Sequence, residues 1–149
     1  MHISKKCSVA IHCLVVIHEF GQTEKVTSEA LSMSSGSNAV TIRNILSALK
    51  KDGILSIKPG TGGATICCPP EEITLCRICK AIEPDFVSKL IGIHGSPSPL
   101  CPVGRNIHTV LDNSYQKVRD DLCRSLGSIT MEDIIADYHR SLEAENSPE

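Results

Sequence analysis

The chain has 149 residues, 41% of them apolar, 21% charged and 3% aromatic. This composition suits one soluble domain with an aliphatic core, and no apolar run approaches the roughly 18 residues of a membrane span. The net charge of −2 excludes a uniformly basic nucleic-acid binder, yet residues 1–66 hold seven Lys/Arg against four Asp/Glu, while 67–149 hold eight against thirteen. A basic N-terminal half suits phosphate, and an acidic half suits another task.

Residues 4–20 read as a helix capped by Ser4, with Cys7, Ala10, Ile11, Leu14 and Ile17 on one stripe and Val9, Cys13, Val16 and Phe20 on a second. A helix apolar on most faces is central to its fold. Its start resembles a secretion signal, but Glu19 and Phe20 follow where a small-residue cleavage site would stand. The expectation is therefore a buried helix in a cytoplasmic protein with reduced cysteines. Gly21 ends the helix.

Thr27 caps a short helix over 27–34, Ser34–Asn38 make a turn, and a second helix runs from 39 to Lys51. Two helices around a Gly-containing turn form the helix-turn-helix pattern. In the second helix Ile42, Ile45, Leu46 and Leu49 share one face, and Val40, Arg43, Asn44, Ser47 and Lys51 the other. Strands at 54–58 and 64–67 flank Pro59–Gly63, which is the pattern of a wing.

After Pro69-Pro70 the spacing predicts a helix over 71–81, with Ile73, Ile78 and Ile82 inward, and a short helix over 85–91. Residues 92–104 are a loop by composition. A long helix follows from about Val103 to Leu126, with a narrow stripe of Ile107, Leu111, Tyr115, Val118, Leu122 and Leu126. At about 36 Å it exceeds what so small a domain needs, and it most simply pairs with its copy. A final helix over 130–143 carries the cap pair Thr130 and Asp133. The expected fold is mainly α: a winged helix-turn-helix region over 1–82, then dimerisation helices and a sensor loop over 83–149, in one compact unit.

The run Asn38-Ala39-Val40-Thr41-Ile42-Arg43-Asn44-Ile45-Leu46, leading into Leu49-Lys50-Lys51-Asp52-Gly53-Ile54, resembles the Rrf2 family of bacterial regulators. That family includes the iron–sulfur cluster regulator, the nitric-oxide-sensitive repressor and the cysteine-metabolism repressor. Gly60-Thr61-Gly62-Gly63-Ala64, Pro70–Leu75 and Ala81-Ile82-Glu83 support the resemblance, which spans nearly the whole chain. Cys101–Ile107 looks like the subgroup without the cluster-binding cysteine triplet. The resemblance implies a homodimeric regulator of transcription that acts as a repressor on double-stranded DNA sites, and not an enzyme.

It also implies that the helix at 39–51 enters the major groove. Arg43 suits guanine, Asn44 adenine, and Val40 and Thr41 the thymine methyl. Thr27, Ser28 and Asn38 stand at helix starts that bind phosphate, with Lys51, Lys58, Thr61 and Gly62 as further contacts. A solvated helix face is the plainer alternative for these residues. Family members differ at the position of Arg43, so no operator sequence carries over.

Cluster-binding members hold three cysteines in the loop before the long helix. Here that loop has one, Cys101, so a cluster is not expected, and neither is any metal or other cofactor, although His94 and His108 flank the cysteine. Cys101 reads either as a reactive sensor thiol or as a buried small residue in a Pro-flanked turn. Cys76-x-x-Cys79 reads as packing, as a redox pair or as half of a zinc site with Cys67 and Cys68. Cys7 and Cys13 read as core fillers. Cys123 reads as a residue at the dimer seam. An iron–sulfur-cluster-dependent regulator, with His94 and His108 substituting for absent cysteines, a small CxxC redox protein using Cys76 and Cys79, and a winged helix that binds protein are the rival functions, and the effector is not readable.

Overall fold

The computed structural model describes residues 3–60 and 63–148. Helices α1 (Lys5–Phe20), α2 (Ser28–Ser35) and α3 (Ala39–Lys51) precede strands β1 (Leu55–Ile57) and β2 (Ala64–Ile66). Then come α4 (Leu75–Ile82), the short α5 (Phe86–Lys89), α6 (Pro102–Gly127) and α7 (Met131–Asn146). The strands pair antiparallel, with Leu55 opposite Ile66, Ser56 opposite Thr65 and Ile57 opposite Ala64.

The core is aliphatic, as the composition requires. Ala10, Cys13, Leu14 and Ile17 of α1 meet Leu31 of α2, Ile42, Ile45, Leu46 and Leu49 of α3, and Leu55 and Ala64 of the strands. Met131 and Ile135 of α7 close the same core, so the last helix returns to the first. Burying each such side chain contributes about 1.5–3 kcal/mol. Cys7 and Cys13 are buried, and Phe20, expected on the second apolar stripe, is exposed.

The helix expected over 71–81 is two pieces. Pro70–Glu72 forms one 3-10 turn, Ile73 is extended, and Thr74 caps α4 by accepting a hydrogen bond from Arg77 N at 3.1 Å. The break has a tertiary cause. Ile73 O accepts from Met131 N at 2.8 Å and Leu75 N donates to Ile129 O at 2.9 Å, so a bridge to the start of α7 uses backbone groups that a continuous helix would need. The long helix starts one residue earlier than expected, with Pro102 at its first position, where proline's missing N–H costs nothing. Thr130 and Asp133 form a reciprocal capping box on α7.

Candidate nucleic-acid interface

Two caps position α3. Gly36 ends α2 at φ 71°, a left-handed conformation that glycine adopts without strain, and Asn38 Oδ1 accepts from Thr41 N at 2.8 Å to start α3. Ile42, Ile45, Leu46 and Leu49 then fasten α3 to the core, which turns the opposite face to solvent. That face carries Val40, Arg43, Asn44, Ser47 and Lys50, all exposed, with Val40 at 62%. An exposed valine among polar neighbours is available for apolar contact with a thymine methyl.

The wing lies beside α3. Gly63 lets β2 run against the chain before α2: a Cβ there would stand 2.6 Å from Val26 N and 2.7 Å from Val26 O. Lys25 Nζ donates to Gly60 O at 2.9 Å and ties the wing loop down. Between wing, α2 and α3 runs an open groove of about 440 Å³, lined by Lys25, Thr27, Ser28, Arg43, Ser47 and Lys50 among others. Glu29 supplies the one acid of that lining and approaches Arg43 at 4.0 Å across an exposed gap. Such a pair orients the guanidinium in the free protein and, being exposed, gives way to a stronger anion.

The candidate residues divide by what their side chains already do. Thr27 Oγ1 accepts from Ala30 N at 3.1 Å, so Thr27 and Asn38 serve first as caps, with the Asn38 amide nitrogen left to donate outward. Ser28 lies half-buried in the groove with its hydroxyl toward Glu29. Thr41 is half-buried. Lys51 stands on the far side of α3, beside Asp52, Lys80 and Pro84, away from the wing. Lys58 is exposed on the opposite flank of the wing, near Thr23 and Glu24. Thr61 and Gly62 lie outside the described residues. Lys25 and Lys50 were missed. Lys50 was findable, since seven residues after Arg43 is nearly two helical turns; Lys25 was not, because only the fold brings it to the wing.

The stripe on α6 also divides. Leu122 and Leu126 turn toward the chain's own Cys7, Cys79 and Phe86. Ile107, Leu111 and Tyr115 are half-buried, while Val103, Val110 and Val118 are 67%, 57% and 47% exposed. No residue of the 26 in α6 is buried. Cys123 shares a cleft with Lys80, Asp112, Gln116 and Arg119.

Cys101 is the exposed N-cap of α6, so its reading as a buried filler does not hold. Cys79 is buried against Cys7, and the half-buried Cys76 meets Cys123 through its thiol. The two cysteines of the CxxC motif thus have different partners. Among the described residues no three His, Cys, Asp or Glu side chains gather as metal ligands. His108 Nε2 is engaged with His94 O at 2.7 Å instead. The described cysteines and histidines do not assemble the ligand set that zinc or an iron–sulfur cluster takes.

The Rrf2 family model, described as an iron-dependent transcriptional regulator, matches residues 3–137. The chain belongs to the Rrf2 family. It is 32% identical over 133 residues to the HTH-type transcriptional regulator YwnA of Bacillus subtilis, covering 89% of this chain and 96% of that one. A crystal structure of a transcriptional regulator from Lactobacillus plantarum superposes with a TM-score of 0.77 at 27% identity, covering 94% of this chain and 95% of that chain. The IscR structure from T. potens shares the fold, with a TM-score of 0.70 at 17% identity over 100% of this chain and 94% of that one. Rrf2 members are regulators of transcription rather than enzymes, and the winged helix described above is their architecture. No helix among the described residues is long and apolar enough to cross a membrane.

Proposed function

We propose that this Rrf2 regulator represses transcription by binding a two-fold related DNA site as a homodimer, with α3 in the major groove and the wing on the flanking backbone. The observation that carries the reading is the cationic strip of Lys25, Arg43 and Lys50 across α3 and the wing groove, in a chain whose net charge is −2. Concentrating positive charge on one face of an acidic protein suits a polyanion bound on that face alone.

Homodimerisation is supported by α6. A helix of 26 residues without one buried side chain, exposing Val103, Val110 and Val118, is half of a packing arrangement. A second copy supplies the other half and sets two α3 helices at a fixed separation, which is how half-site spacing is read. Cys101 is the proposed sensing thiol. It is exposed, sits at a helix start and has the exposed Leu100 beside it, so an oxidant or electrophile has free access. In this reading the regulator works without a resident cluster, because the loop before α6 holds one cysteine, Cys101.

Fluorescence anisotropy tests the reading. The purified chain is expected to bind DNA from upstream of its own gene at least a hundredfold tighter than random duplex at moderate salt. Equal affinity for the two would overturn sequence-specific regulation.

A further inference from the structure

Four cysteines meet where α1, α4 and α6 converge. Cys7 stands in the first turn of α1 and Cys79 in the second turn of α4, each 3% exposed and packed in one cluster with Phe86 of α5. Leu122 and Leu126 of α6 lean on the same cluster. Cys76 lies one turn before Cys79, beside Cys123 of α6, and burial pushes its thiol up.

The pair does not behave as filler. Cys13, buried alone in the main core, is pushed up to about 11 by desolvation. Cys79 is also buried, yet its thiol is drawn below the usual range because it accepts a hydrogen bond from Cys7, whose own proton is correspondingly held. The proton of the pair is held on Cys7, and Cys79 is the sulfur that ionises first, which is the order that favours attack by Cys79.

We infer that Cys7 and Cys79 form a reversible intramolecular disulfide on exposure to a hydroperoxide, and that this bond changes how α6 sits on the winged helix. The Cys79 thiolate attacks the terminal oxygen of the peroxide. The O–O bond breaks, hydroxide (or the alkoxide) leaves and takes up a proton, and Cys79 becomes a sulfenic acid. The Cys7 sulfur then attacks the Cys79 sulfur, the S–O bond breaks, and the departing hydroxide takes the Cys7 proton to leave as water. With hydrogen peroxide the balance is two thiols and one peroxide giving one disulfide and two waters. A peroxide is small enough to pass the cover, which is Phe86 on a helix of four residues and the end of α6. Bulkier disulfides are not.

The consequence follows from packing. A disulfide holds its sulfurs about 2.05 Å apart, well inside the separation of two hydrogen-bonded thiols. Closing that gap draws α1 and α4 together under Leu122 and Leu126, whose contacts must shift. The end of α6 then moves relative to α3. This consequence rests on the DNA-binding reading; the disulfide itself does not.

The test uses the full chain, reduced and then treated with hydrogen peroxide. Peptide mass spectrometry without reductant should find Cys7 and Cys79 linked, two hydrogens lighter and restored by dithiothreitol. In a Cys101→Ala background, which removes the exposed thiol, affinity for the upstream DNA should fall at least tenfold in the same sample. Both effects should vanish when Cys79→Ala is added to that background. Free thiols at Cys7 and Cys79 in peroxide-treated, DNA-competent protein would overturn the inference, as would linkage of either to another cysteine. Linkage with unchanged DNA affinity would overturn the switch. Linkage in a protein that never binds DNA would instead refute the regulator reading and leave the disulfide standing.

Discussion

Arg77 holds Asp52 from 25 residues away: its Nε donates to Asp52 Oδ2 at 2.8 Å and its Nη2 to the Asp52 backbone oxygen at 3.2 Å. Asp52 is the C-cap of α3, and Arg77 stands in the first turn of α4. A third contact runs from Nη1 to Cys68 Sγ at 3.6 Å, in the bend two residues after β2. One guanidinium therefore fastens the far end of the recognition helix to the element that carries α6.

Replacing Arg77 should loosen that joint. Both partners are about a third exposed, so screening limits the loss in Arg77→Ala to about 1 kcal/mol of folding stability. DNA affinity should fall further than stability does, because α3 loses its fixed angle to α6. Arg77→Lys should not rescue, since an ammonium cannot reach three acceptors in one plane. Urea unfolding beside anisotropy checks both; a fully active Arg77→Ala would show that the joint is irrelevant to binding.

Arg43 and Lys50 stand on one face but should act differently. Arg43→Ala should cost about 1–3 kcal/mol of binding and relax base preference at one position of each half-site. Lys50→Ala and Lys25→Ala should weaken all sequences alike and each lower the salt slope by about 1. Binding isotherms over a salt series separate the two kinds of loss. An Arg43→Ala protein with unchanged base preference would return that residue to a solvated face.

The exposed valines of α6 predict an assembly defect without a folding defect. The double substitution Val110→Glu/Val118→Glu removes apolar surface that nothing in the chain covers. Sedimentation should show a monomer with unaltered circular dichroism, and the palindromic site should be bound at least tenfold more weakly. Persistent dimers would move the interface off this face.

Cys13 predicts alkaline instability. Its thiol is 9.0 in an ordinary setting and about 11 when buried in the fold, so the unfolded chain releases this proton first. Its contribution is whole below pH 9 and is lost as pH rises through about 11. The loss approaches about 2.7 kcal/mol. Denaturant melts at pH 8, 9.5 and 11 should fall more steeply for the wild type than for Cys13→Ala. Parallel slopes would show that another group controls the alkaline limb.

Much of the fold is written in local periods. The stripe of Ile42, Ile45, Leu46 and Leu49 places α3 and, by exclusion, the polar face that includes Arg43 and Asn44; α3 occupies residues 39–51 as its pattern predicts. Ser4, Thr27 and Thr130 cap the helices that follow them, because a cap is decided within four residues. The glycines and alternating residues of 54–67 suffice for a wing, although the strands are shorter than their pattern suggests.

What needed the folded chain involves partners distant in sequence. Ile73 leaves helical geometry only because Met131 takes its carbonyl, and no period in 71–81 records that contact. Lys25 reaches the groove beside α3 only because Gly63 lets the wing approach Val26. The apolar stripe of α6 is continuous in sequence, yet its last turns serve the chain's own core while Val103, Val110 and Val118 remain uncovered. Cys76-x-x-Cys79 reads as a pair by spacing, but the pairing is decided by which helices cross it: α1 brings Cys7 to Cys79, and α6 brings Cys123 to Cys76. Helices, caps and the recognition face follow from interactions a few residues long, whereas partners across the fold follow from packing, which depends on every element at once.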